Sequence, residues 1–292
     1  MQKITPHLWY DKEAKEAAEF YCSLFPNSKV TKVTTIHDVP SPTGDSDIVS
    51  FQLSGQPFMA ISAGPLFKFN PSISFFVTLE NEKEVDKLWN KLKEGGSVLM
   101  ELQKYDWSEK YGWVQDKYGL SWQISLGKKK DVGGNAVSSS LLFVGDKFGK
   151  AKEAVNFYTA VFKESEIKGI KENPDGTVMH AQFYLNGETF MAMDSKENHQ
   201  FDFNEAISFM VNCDSQKEID YYWEQLTSDG GAESMCGWCR DKYGVSWQIT
   251  PTILNTMLSK GTEEQVARVT QAFLQMKKFN IAVLEKAYRG KY

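Results

Sequence analysis

The sequence predicts an α+β fold assembled from four βαβββ modules, two to each of two tandem domains, with a helical extension at the C-terminus. Three observations carry this: a repeat at fixed offset, helices marked by 3.6-residue spacing, and intervening segments that alternate as strands do. The repeat is the strongest. Gly112-Trp-Val-Gln-Asp-Lys-Tyr-Gly-Leu-Ser-Trp-Gln-Ile124 returns as Gly237-Trp-Cys-Arg-Asp-Lys-Tyr-Gly-Val-Ser-Trp-Gln-Ile249, offset by 125 residues. Upstream, Ile73-Ser-Phe-Phe-Val77 returns as Ile207-Ser-Phe-Met-Val211, and Phe58-Met-Ala-Ile61 as Phe190-Met-Ala-Met193. The domains are therefore expected at 1–126 and 137–251, with 127–136 a linker of turn formers and charge, and 252–292 the extension.

The helices come first. Ala14, Ala17, Ala18, Tyr21, Leu24 and Phe25 lie on one face of a helix, and Ala151, Ala154, Val155, Tyr158, Val161 and Phe162 repeat the spacing. A second pair, Val85 to Leu92 and Ile219 to Leu226, follows the capping-box patterns Asn81-x-x-Glu84 and Ser215-x-x-Glu218. The strands expected in the first half are Thr5–Tyr10, Lys29–His37, Ile48–Leu53, Pro57–Ser62, Ile73–Leu79, Val98–Tyr105, Tyr111–Gln115 and Ser121–Ser125. Beyond Pro251, the capping box Thr262-Glu-Glu-Gln265 opens a stripe through Val266, Val269, Phe273, Met276, Val283 and Ala287, interrupted at Asn280. A helix with such a stripe needs a partner, either its own chain or a second copy in a homodimer.

Composition narrows the function classes. With 292 residues, 41% hydrophobic and 24% charged, the chain has ample material for a core. No apolar run exceeds four residues, too short to span a bilayer, and the N-terminus shows no apolar signal segment, so a cytoplasmic location is expected. A net charge of −5 disfavours nucleic acid as a partner. Cys236 and Cys239 lack the second ligand pair of a zinc site, and on an extended strand their side chains would point to opposite faces.

Paired βαβββ modules resemble the vicinal oxygen chelate superfamily of glyoxalase I, bleomycin-resistance proteins and extradiol dioxygenases. The phrases Phe20-Tyr21, Phe58-Met-Ala60, Asp116-Lys-Tyr-Gly119, Ser121-Trp-Gln-Ile124 and Met179-His-Ala-Gln-Phe183 narrow the resemblance to the PhnB-like family, catalogued under a 3-demethylubiquinone 3-methyltransferase name. It covers both halves. No Gly-x-Gly turn opens a helix, so the nucleotide site of a classical methyltransferase is not written here.

The resemblance implies a metal held by His or Glu on first and last strands, inside a cupped sheet. With Ile73, Phe75, Val77, Trp122 and Ile124 facing helices, alternation leaves His7, Trp9, Ser74, Phe76 and Gln123 for the first cup. Aligning Asp11 with Asp146 gives Leu142, Val144, Ser208, Met210 and Gln248 for the second. A catalytic divalent site needs about three strong ligands. His7 is one and Gln123 is a neutral amide, so no tightly bound metal and no cofactor are expected. His37, before the Pro40-Ser-Pro-Thr43 loop, His180 and His199 read as structural or surface residues, and Asp116-Lys-Tyr-Gly119 reads as a type I turn.

Three readings follow. The first cup binds a small aromatic or apolar molecule without metal through His7, Trp9, Ser74, Phe76 and Gln123. Alternatively the chain is a superfamily enzyme using His7 as ligand or acid/base. The third reading is a scaffold with both cups filled by side chains.

Overall fold

The computed structural model describes residues 3–37 and 44–290; the Pro40-Ser-Pro-Thr43 loop lies outside them. The first module is β1 (Ile4–Tyr10), α1 (Ala14–Leu24), β2 (Lys29–Ile36), β3 (Ser46–Leu53) and β4 (Gln56–Ser62). The second is β5 (Ile73–Leu79), α2 (Glu82–Leu92), β6 (Ser97–Tyr105), β7 (Ser108–Gln115) and β8 (Ser121–Leu126). β9 (Val137–Phe143), α3 (Ala151–Val161), β10 (Glu166–Glu172), β11 (Val178–Leu185) and β12 (Glu188–Asp194) make the third. The fourth is β13 (Ile207–Cys213), α4 (Gln216–Thr227), β14 (Ala232–Glu233), β15 (Trp238–Arg240) and β16 (Ser246–Pro251).

These strands make two mixed eight-stranded sheets, ordered β14-β15-β16-β13-β1-β4-β3-β2 and β10-β11-β12-β9-β5-β8-β7-β6. Each half was expected to close a sheet of its own. Instead the first and fourth modules share one sheet, and the second and third share the other. The connection explains the second of these. β8 pairs parallel with β5, and β9 pairs antiparallel with β5 along its other edge, Ser74 opposite Ser140. Residues 127–136 need only step over β5, two strand spacings of about 4.8 Å each, to reach that edge. The linker is also more ordered than its composition suggests, since Lys129–Val132 forms a 3₁₀ turn and Val132 is buried.

The chain separates into two compact units, residues 8–207 and residues 1–7 with 208–292, the division falling within β1. In the larger unit the helix-facing residues Phe75, Val77, Trp122 and Ile124 are fully buried, as the alternation requires. Asp116 lies among them. Its carboxylate accepts from Tyr21 Oη and Trp122 Nε1, each at 2.8 Å, and from the amides of Tyr118 at 2.8 Å and Leu120 at 3.1 Å. Gly119 N donates to Asp116 O, so the expected turn forms, but the aspartate is also the buried link between α1 and β8. In the smaller unit Asp241 plays the same part for Trp247, Tyr243 and Val245.

The capping boxes are partly realised. Asn81 accepts from Lys83 and Glu84 amides, and Ser215 accepts from Glu218 N, but Glu218 reaches back to Asp214 N instead of Ser215 N. At Thr262 the box is reciprocal. The extension is three helices where one stripe was expected: α5 (Thr252–Lys260), α6 (Glu263–Leu274) and α7 (Ile281–Arg289). The stripe breaks at Asn280 because its side chain caps α7 by accepting from Val283 N. α6 and α7 then pack on each other, burying Val269 and Leu284 completely, with Arg268 Nε donating to Ala287 O at 2.9 Å. The chain itself covers Val269, Phe273 and Leu284 of the apolar stripe, while Val283 stays exposed.

Candidate functional site

The five expected residues are divided between two sheets. His7 and Trp9 are on β1 in one sheet, whereas Ser74, Phe76 and Gln123 are on β5 and β8 in the other. Trp9 is held by its own neighbours, Nε1 donating to Gly64 O at 2.8 Å and the ring meeting Phe67 edge-on.

The register also corrects the alignment of the halves. Trp9 N donates to Ala206 O, and Leu142 N donates to Ser72 O, each at 2.8 Å. Ala206 and Ser72 directly precede the repeated Ile-Ser-Phe, so Leu142 occupies the place of Trp9, and Ser140 the place of His7. The alignment through Asp11 and Asp146 runs two residues late, because Asp146 belongs to a 3₁₀ turn, Gly145–Lys147, inserted between β9 and α3.

The chain thus carries the same polar cluster twice, with different side chains. In the larger unit Gln123 sits between Ser74 and Ser140, donating from Nε2 at 2.7 and 3.4 Å, and its Oε1 accepts from Tyr111 Oη at 2.7 Å. Trp113 Nε1 donates to Ser121 Oγ at 2.7 Å. Phe76 is half-buried against Tyr111, and Ser138 Oγ beside it is buried without a partner among the described residues. Both polar atoms of the Gln123 amide have partners within the protein.

In the smaller unit two substitutions, Cys236 for Tyr111 and His7 for Ser140, undo that closure. Gln248 Nε2 donates to Ser208 Oγ at 2.9 Å, as Gln123 does to Ser74. Cys236 stands where Tyr111 stands, so the phenol that donates to the amide oxygen is gone, and the Cys236 thiol turns to Phe273 O instead. Trp238 stands where Trp113 stands, yet Ser246 Oγ, the equivalent of Ser121, is buried without a partner among the described residues. His7 replaces Ser140. Asn212 N donates to Lys3 O, which continues the antiparallel register and puts His7 across from Ser208. The His7 ring meets the Trp238 ring edge-on, centroids 5.7 Å apart at 89°.

His7 is 4% exposed, and its Nδ1 has no hydrogen-bond partner among the described residues. Desolvation by burial lowers its pKa to about 4, so the ring is neutral at pH 7. Buried polar atoms are ordinarily paired, so His7 is the candidate around which the cluster is read. Sequence reasoning found His7 but missed Trp238, and it assigned Ser208 and Gln248 to a different cup. The signal was the repeat itself, read with the register that only the fold supplies.

The other candidates lie elsewhere. His37 Nδ1 pairs with Asp45 at 2.9 Å on the surface, and His199 Nε2 with Ser195 Oγ at 2.8 Å. His180 lies opposite Lys171 on β10. Cys236 is not on an extended strand as the sequence suggested: it adopts φ 58° before β15 begins, while Cys239 is buried within β15.

The metal that the glyoxalase-like fold implies is a poor match to these side chains. The two clusters offer one imidazole, with hydroxyls and neutral amides making up the rest. Among the described residues no group of three or more His, Cys, Asp and Glu comes together. Hydroxyls and amides neither balance a divalent charge nor hold a transition metal well. The helices of the modules also begin at residues without a Gly-x-Gly turn before them, so no nucleotide cradle is present there.

Comparison with known proteins gives the lineage. The family model described as 3-demethylubiquinone-9 3-methyltransferase matches residues 2–125 and again 135–250. A PhnB protein from Bacillus cereus, a candidate for the same methyltransferase name, is 39% identical, covering 43% of this chain and 100% of its own, with TM-score 0.41. Glyoxalase I from Zea mays is 10% identical with TM-score 0.57 over 84% of this chain and 90% of its own, a likeness of fold. No curated protein matches the chain. The chain has a glyoxalase-like fold, belongs to the 3-demethylubiquinone-9 3-methyltransferase family and carries two tandem copies of its domain.

Proposed function

We propose that the protein binds a small, neutral, planar molecule at the cluster of His7, Ser208, Trp238 and Gln248, without a tightly bound metal. The observation that carries this is the unpartnered Nδ1 of His7, buried beside an amide that has lost its phenol donor. A ligand bearing a donor and an acceptor on an aromatic frame would satisfy the imidazole and Gln248 together, with the Trp238 ring as a wall. Charge is disfavoured in the ligand, since none of these four side chains is ionised at pH 7 to balance it.

Catalysis by His7 as a general base is the weaker reading. A base held at about 4 is far from the working pH at which proton transfer is efficient. The remaining sequence readings stand as proposals: a cytoplasmic location, and a homodimer to be sought by sedimentation. Among the described residues no helix is long and apolar enough to cross a membrane.

The test is a thermal-shift screen of neutral aromatic amides and phenols against wild type, Gln248→Ala and Gln123→Ala. Compounds that stabilise wild type should lose their shift in Gln248→Ala and keep it in Gln123→Ala. The reverse pattern would place the site in the other sheet, and the absence of any stabilising compound would favour the scaffold reading.

A further inference from the structure

The second and fourth modules differ most in one stretch. Fifteen residues lie between Gly96 and Gly112, but five lie between Gly231 and Gly237. The long β6–β7 hairpin shrinks to strands of two and three residues, β14 and β15. In the second module the helix and the hairpin cover the glycine together: a Cβ on Gly112 would lie 2.6 Å from the Trp89 ring of α2 and 3.0 Å from Leu102 Cα of the hairpin.

Gly237 has no such hairpin, and yet it is covered. A Cβ there would lie 2.4 Å from the Phe279 ring, at a residue from beyond the repeat. The backbone is tied as well. Cys236 N donates to Met276 O and Gly237 N to Lys277 O, each at 2.7 Å. Gln216 clamps the segment from the head of α4, donating to Phe279 O at 3.0 Å and accepting from Ile281 N at 2.9 Å. Lys278 pairs with Asp220 on the same helix at 2.6 Å.

Gly237 directly precedes Trp238, whose ring meets His7. We infer that Met276–Phe279 is the wall that replaces the lost hairpin beside the ligand site, and that Phe279 is a positioning residue, holding Trp238 edge-on to His7 through Gly237. The inference rests on reading the His7 cluster as the ligand site. The shape of ligand admitted is then set by the C-terminal extension, so two copies of one domain can differ in selectivity without a change in their shared strands.

The experiment uses the full chain with Phe279→Ala and Phe279→Leu. Two quantities are read: the ring proton resonances of His7, assigned by their loss in His7→Gln, and the affinity for benzamide. In Phe279→Ala the His7 resonances should move and benzamide should bind about tenfold more weakly, the scale expected when a supporting residue shifts a site. Phe279→Leu should restore both, which a loss of general stability would not do. Unmoved His7 resonances in a folded Phe279→Ala overturn the inference. If that variant does not fold, Phe279→Val takes its place, and unmoved resonances there overturn it equally. A wild type that does not bind benzamide, with His7 resonances that still respond to Phe279, counts against the ligand reading and supports the wall.

Discussion

Asp116→Ala is expected to lower the unfolding free energy by about 4 kcal/mol, in line with the loss of one partner from a buried hydrogen-bonded network. The carboxylate is 3% exposed and accepts four hydrogen bonds, two from buried ring donors and two from turn amides. Alanine leaves the Tyr21 hydroxyl and the Trp122 indole facing a gap, each an unsatisfied donor worth about 1–3 kcal/mol. It also loosens α1 from β8, because Tyr21 is on the helix and Trp122 on the strand. Tyr21→Phe should cost less, about 2 kcal/mol, since three donors to Asp116 remain while the buried Tyr10 hydroxyl loses its acceptor. Urea denaturation with an unchanged m-value checks both numbers. A loss below about 1 kcal/mol for Asp116→Ala would reduce the residue to a turn former of the kind its sequence pattern suggests.

The second large effect is on pH dependence. Burial holds the His7 imidazole at about 4 against an ordinary 6.5, so the unfolded chain takes up a proton before the folded one as pH falls. The stability that neutral His7 permits is therefore complete above pH 6.5 and is lost as pH falls from 6.5 toward 4. The loss attributable to this group approaches about 3 kcal/mol. Glu188 works in the opposite sense. Burial pushes its carboxyl up to about 7 from 4.5, so its contribution is present at low pH and lost as pH rises through that window. The wild-type curve contains both, and the difference between wild type and His7→Gln isolates the histidine. That difference should grow as pH rises from 4 to 6.5 and then level off. A flat difference would mean that His7 is hydrated or already protonated in the folded protein.

Much of the fold is legible because local rules and the repeat agree. The 3.6-residue spacing at Ala14 to Phe25 and at Ala151 to Phe162 gives α1 and α3 directly, and the alternation in Ile73–Leu79 separates the buried Phe75 from the half-buried Phe76. Which modules share a sheet is not legible. A sequence records that β5 and β9 are both apolar strands, but not that a short linker seats one on the free edge of the other. The same omission divided the expected residues between two sheets. His7 is conspicuous as a histidine at an inward strand position, whereas its companions Ser208, Trp238 and Gln248 come from the far end of the chain. The two-residue error that matched His7 with Leu142 arose from anchoring on Asp146, which lies inside an inserted turn, and backbone hydrogen bonds at Trp9 and Leu142 remove it. The break at Asn280 shows the limit of a stripe, since one capping side chain outweighs the periodicity on either side.

The central claim, that the cluster around His7 is the open site and the cluster around Gln123 is closed by its own side chains, is tested most directly by a crystal structure of the full chain soaked with the best compound of the thermal-shift screen. The expected result is density for the compound within hydrogen-bond distance of His7 Nδ1 and Gln248, against the Trp238 ring, with Tyr111 still donating to Gln123. Density at Gln123 with the Tyr111 bond broken, or a His7 Nδ1 satisfied by an enclosed water with the compound elsewhere, would contradict it.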